Sequence, residues 1–214
     1  MRLAKILLLI SLLFTSNSEA QTTAKLVRYK GVNYLTLDAG RAYITGYQRP
    51  GQKYPVWVTA AHLFSERQIM WAELSRGNWF VDSLRYLGSD ICQVYFGPDS
   101  VEVGGLVQFP KVENLVFTGL GFYPEPKKAR WLLDKKEYKA LGYVVFNAAN
   151  QDSIQGVIVK VKSRPGDCGS GFIIDNVLCI VIRLLSRMVI SNLPPEQVSQ
   201  LDSCTLVVPV SFGK

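Results

Sequence analysis

The chain has 214 residues, 48% of them hydrophobic, with 24 Lys and Arg against 17 Asp and Glu and a net charge of +7. That apolar content excludes a disordered chain and is enough for one large or two small hydrophobic cores. Four cysteines without a C-x-x-C pair, and a single histidine, exclude a disulfide-built scaffold and the common zinc spacings.

Residues 1–20, MRLAKILLLISLLFTSNSEA, place Arg2 and Lys5 ahead of the apolar run Ile6 to Phe14 and end in a polar stretch with a small residue, Ala20. This is the layout of a secretory signal, with cleavage expected after Ala20 and a secreted or periplasmic mature protein. The run is short for a bilayer span, so an uncleaved anchor is the secondary reading and no stable membrane insertion is expected after cleavage. Residues 1–20 are therefore set apart from the fold.

Short strands separated by turn residues follow. VNYLTLDA, RAYITGY, YPVWVTAAHLF, NWFVDSLRYL and ICQVYF are rich in β-branched and aromatic residues and are punctuated by DAG, QRPGQ, SRGN and GPDS. A second group comprises NLVFTGLGFY, LGYVVFNA, GVIVKVKS, FIIDNVLCIVI and TLVVPVSF. Helical patterning is confined to KARWLLDKKEYKAL and, weakly, PPEQVSQL. The pattern predicts an all-β protein of two small antiparallel barrels or sandwiches, residues 21–110 and 111–214, joined near residues 108–128.

The basic excess is concentrated in EPKKARWLLDKKEYK, where six Lys and Arg outnumber Glu125, Asp134 and Glu137. A solvated helix or connecting loop accounts for it, and with no RNA-binding motif nucleic acid is not expected as a partner.

Three short segments carry chemistry. His62, in VWVTAAHLF, follows an apolar strand and two alanines, small enough for backbone to pack tightly behind an imidazole. Asp90 opens the strand segment DICQVYF. A carboxylate there is either a turn residue or the group that accepts an imidazole N–H, fixing its tautomer. Cys168 stands in RPGDCGSGFIID between glycines that reach backbone angles closed to other residues. Such a loop is either a hairpin with an incidental cysteine or a site whose N–H groups turn toward a developing oxyanion.

Together, in the order His62, Asp90, Cys168, the segments VTAAHLF, SDICQVYF and RPGDCGSGFIIDNVLCIVI resemble the three active-site blocks of the chymotrypsin-like peptidase clan. The short intervals are closest to its compact members, the Deg-type bacterial proteases and the viral main proteases. The resemblance implies two six-stranded antiparallel β-barrels with the active site in the cleft between them, and no cofactor or metal. It implies His62 as general base and acid, Asp90 as its orienting carboxylate, Cys168 as nucleophile, and the amides of Gly166 and Cys168 as oxyanion hole. The substrate would be a polypeptide, cleaved through a thioacyl-enzyme. Two other readings stay open: an inactive protease-like binding module, and a viral protease that processes its own polyprotein.

The departures from the clan's pattern bear on specificity. Cysteine replaces the serine usual after G-D, an exchange that is chemically competent because a thiol beside an imidazolium ionises readily. No second histidine exists to read glutamine. The resemblance puts Lys162 and Ser163 at the substrate pocket; Lys162 would favour an acidic side chain if it points inward, whereas the alternation of VIVKVKS turns it to solvent. No I-V-G-G start is present to pair with Asp167. Cys179 and Cys204 are expected either to form a disulfide, if their strands adjoin, or to be two buried thiols, with Cys92 buried and free.

Overall fold

The computed structural model describes residues 21–29, 42–48, 52–65, 67–74, 77–105, 116–147 and 153–212. The signal segment, the stretch VNYLTLDA and the proposed boundary at residues 110–111 lie outside these. Seven strands come first: β1 (Gln21–Tyr29), β2 (Ala42–Tyr47), β3 (Val56–Ala60), β4 (Gln68–Leu74), β5 (Gly77–Gly88), β6 (Ile91–Gly97) and β7 (Glu102–Val103). They form an antiparallel sheet in the order β1-β2-β3-β6-β5-β4, with β4 pairing back onto β1 to close the ring and β7 added beside β4. Six more follow: β8 (Val116–Trp131), β9 (Glu137–Asn147), β10 (Ser153–Val159), β11 (Gly171–Ile174), β12 (Val177–Leu185) and β13 (Cys204–Pro209). These make a closed antiparallel barrel in the order β10-β13-β12-β11-β8-β9. The molecule is thus all-β with one six-strand barrel and a second six-strand ring, and closure leaves few unpaired edges.

Period-two patterning drives these elements. In β9, Ala140, Val144 and Phe146 are buried while Lys139, Tyr143 and Asn147 face solvent. The buried side chains merge into a cluster that runs from Ile44, Val58 and Met70 of the first sheet to Ile180, Ile182 and Leu206 of the barrel. A second cluster, around Trp131, Phe172, Val181 and Val207, lies wholly within the barrel. Each large aliphatic or aromatic side chain buried this way contributes about 1.5–3 kcal/mol.

The helix expected over KARWLLDKKEYKAL is instead a β-hairpin. Lys128 and Arg130 are exposed, Ala129 and Trp131 buried, and Lys128 pairs with Lys139. The decisive contact is tertiary: the Trp131 ring stacks on Phe172 at 5.2 Å, so packing overrides helix propensity. Lys135 adopts φ 61° in the turn, and Leu132 and Leu133, which had supplied the apparent helical stripe, sit in that turn. β8 also occupies residues 116–128, so this part of the expected connector is strand. The helix expected in PPEQVSQL is present as α1 (Pro195–Leu201). Among the described residues no helix is long and apolar enough to cross a membrane.

All four cysteines are free. The disulfide alternative fails because Cys179 pairs with Pro209 and Cys204 with Leu185, at opposite ends of the β12–β13 ladder. At ~3.3 Å per residue they stand roughly 20 Å apart. Burial pushes the Cys179 thiol up to about 12 and raises Cys92 and Cys204 as well. A thiol titration of the denatured, unreduced protein is expected to count four thiols, and reductant should not move the melting temperature; a drop in melting temperature on reduction would contradict the free-thiol assignment.

Candidate active site

The β3–β6 ladder brings the first two site residues together. Ala60 pairs with Ile91, and the Ala61 N–H donates to the Asp90 carbonyl at 2.7 Å, so His62 and Asp90 emerge side by side just past the paired segment. His62 lies in a single 3₁₀ turn, Ala61–Phe64, and both alanines ahead of it are fully buried. Asp90 sits in the tight β5–β6 turn with φ 62°, a left-handed conformation that Asp tolerates better than most residues. Its buried carboxylate accepts twice from one residue: the His62 backbone N–H donates to Oδ1 at 2.8 Å, and Nδ1 of the ring lies 2.6 Å from Oδ2. The pairing fixes the ring with Nδ1–H toward Asp90, which leaves Nε2 for another partner.

Cys168 stands beside the ring, close enough to raise the imidazole's pKa, and its thiol donates to the Ile182 carbonyl at 3.4 Å. The loop that carries it is two consecutive turns. Asp167 N–H donates to Arg164 O at 3.0 Å across Pro165-Gly166, and Ser170 N–H donates to Asp167 O at 3.2 Å across Cys168-Gly169. Gly166 (φ 95°) and Gly169 (φ 87°) supply the positive φ that each turn needs at its third residue. Among the described residues the N–H groups of Gly166 and Cys168 meet no acceptor, so two free donors stand beside the thiol.

Several residues that hold this loop went unrecognised in the sequence. Trp131 Nε1–H donates to Ser170 Oγ at 3.0 Å, and that hydroxyl donates to Asp167 O at 2.7 Å. On the other side, Tyr43 N–H donates to Cys168 O at 2.9 Å and Thr45 Oγ1 to Gly169 O at 3.0 Å, which ties the loop to β2 of the first sheet. Alternation in β2 sets Thr45 on the face opposite Ala42 and Ile44, and nothing in it pointed to a loop more than a hundred residues away. The Asp167 carboxylate accepts from the Arg164 N–H at 2.6 Å.

A cleft of about 350 Å³ opens beside the thiol, with His62 and Cys168 at one side and Ser163, Ile182, Leu184 and Val189 in its walls. Ser163 is buried and lines the cleft, whereas Lys162 is exposed and lies outside the lining. Among the described residues no three His, Cys, Asp or Glu side chains are grouped to hold a metal ion.

Compared with known proteins, the chain matches no family model and no curated protein.

Burial by itself lowers the His62 pKa. The charge and hydrogen bond of Asp90, joined by the hydrogen bond with Cys168, outweigh that and hold the imidazole well above its ordinary 6.5. A raised folded-state pKa means stabilisation that is complete below about pH 6.5, the unfolded value, and is lost as pH rises through the folded value. Urea unfolding is accordingly expected to show the margin of wild type over His62→Gln shrinking from pH 6.5 to pH 10. A margin that grows over that range would reverse the sign of the coupling.

Proposed function

We propose that the protein is an endopeptidase of chymotrypsin-like fold that cleaves peptide bonds through Cys168, His62 and Asp90. The observation that carries this reading is the buried Asp90 carboxylate bonded to the imidazole, with His62 and the Cys168 thiol side by side on one cleft. The Cys168 proton passes to His62 Nε2, and the thiolate attacks the substrate carbonyl. The oxygen then takes up negative charge facing the free N–H groups of Gly166 and Cys168. His62 returns the proton to the leaving amine, and the C–N bond breaks to give a thioacyl-enzyme. Water, deprotonated by His62, attacks the thioester and releases the acid and the thiol. Asp90 holds the ring's orientation and stabilises the imidazolium throughout. That the two loop amides meet no acceptor among the described residues supports the oxyanion role, since unpaired N–H groups otherwise carry a cost.

The test is alkylation by iodoacetamide at mildly acidic pH, with the modified cysteine located by mass spectrometry and hydrolysis of an unfolded protein followed in parallel. Rapid labelling of Cys168, lost in His62→Ala, together with hydrolysis abolished by Cys168→Ala, is the expected result. Slow labelling indifferent to His62, with no hydrolysis, would sink the peptidase reading and leave a binding module.

A further inference from the structure

We propose that the cleft beside Cys168 selects a substrate with an acidic side chain on the residue whose carbonyl is attacked, and that the Ser163 hydroxyl is the hydrogen-bond donor that reads it. The proposal rests on the peptidase reading above. Ser163 is only 2% exposed and its backbone is anchored: its N–H donates to Thr205 Oγ1 at 3.0 Å, and that hydroxyl donates to Val161 O at 2.6 Å. Its own hydroxyl bonds to nothing among the described residues and opens on the cleft. A polar group held this rigidly in a largely apolar recess has a partner to find, because sealing it from water without one is unfavourable.

The rest of the lining decides which partner. No carboxylate lines the cleft among the described residues, while the guanidinium-bearing Arg164 does. Lysine or arginine would enter against like charge with nothing to pair with. An aliphatic side chain would suit the walls at Ile182, Leu184 and Val189, yet it would close the recess over an orphaned hydroxyl. A glutamate satisfies all three features. Its methylene stem lies along the aliphatic walls, its carboxylate accepts from Ser163 Oγ–H in a charge-assisted bond, and its charge is opposite to that of Arg164 in the lining. The exposed Lys162 takes no part.

The experiment uses four quenched peptides that differ only in the residue before the scissile bond: Glu, Gln, Leu or Lys. The glutamate peptide should be cleaved best, with a kcat/KM at least roughly tenfold above Gln, and the lysine peptide should not be cleaved. Ser163→Ala should lower kcat/KM for the glutamate peptide by roughly 10- to 100-fold and the leucine peptide far less. Cleavage that requires Cys168 but favours Leu or Lys, or a Glu-to-Leu ratio unmoved by Ser163→Ala, overturns this inference and leaves the peptidase standing. If no peptide is cleaved although Cys168 alkylates fast, shielding of the thiol decides: a peptide ending in glutamate must protect it better than one ending in leucine, and equal protection overturns the inference. No cleavage with slow, His62-independent alkylation overturns both.

Discussion

Asp90→Asn is expected to fold and yet to lose the proposed peptide hydrolysis by roughly 10⁴-fold. The Asp90 carboxylate accepts two N–H groups of His62, one from the backbone at 2.8 Å and one from the ring at 2.6 Å. An amide has only one acceptor oxygen. If that oxygen keeps the backbone N–H, the amide's NH₂ faces Nδ1, which must then be unprotonated, and the ring proton moves to Nε2. A ring protonated at Nε2 and neutral cannot take the Cys168 proton, so alkylation of Cys168 should fall together with hydrolysis. Losing hydrogen bonds to a buried charge costs about 1–3 kcal/mol, visible as a lower urea midpoint, while the near-ultraviolet spectrum keeps its native shape. Hydrolysis within tenfold of wild type would show that something other than this carboxylate orients His62.

The strand-by-strand architecture was largely readable because period-two alternation is a local signal: RAYITGY, NWFVDSLRYL and ICQVYF became β2, β5 and β6. What escaped was what only tertiary contacts decide. KARW alternates in burial because Trp131 stacks on Phe172, a residue beyond any local window. β1 and β4 were not singled out, as Lys25, Arg28 and Glu73 interrupt their apolar runs; they are held by pairing with each other and with β2 and β5. The site shows the same division. Asp90 and His62 are distinctive residue types at the ends of two strands, and β3–β6 pairing brings them together. The residues that fix Cys168, Thr45 and Tyr43 from one sheet and Trp131 from the other, are ordinary strand residues whose role exists only after folding. Lys162 shows the limit of alternation: it placed the lysine outward, while the inward neighbour Ser163 acquires meaning from the cleft around it.

Gly169→Ala should be among the most destabilising single substitutions in the chain, by about 2–5 kcal/mol. Two costs combine. At φ 87° an L side chain pays about 1–2 kcal/mol for left-handed backbone. In addition, a Cβ at this position would overlap the Tyr43 carbonyl oxygen and the Thr59 hydroxyl, which are themselves bonded to each other at 2.6 Å. Overpacking against backbone adds about 1–3 kcal/mol, because β2 would have to move. Gly88→Ala separates the two costs. Gly88 has nearly the same φ, 92°, but open space around its Cβ position, so only the conformational cost of about 1–2 kcal/mol applies. The difference between the two variants in urea unfolding therefore measures the collision alone, and equal losses would mean that the loop yields without moving β2. The collision also has a functional side. Tyr43 N–H holds Cys168 O, and Thr45 holds Gly169 O, so pushing β2 away from the loop breaks both bonds and draws the thiol from His62, which sits in the turn just past β3 of the first sheet. Alkylation of Cys168 in folded Gly169→Ala should consequently slow far more than in Gly88→Ala, because the contact between loop and β2 sets both the stability of the junction and the distance across which the proton must pass.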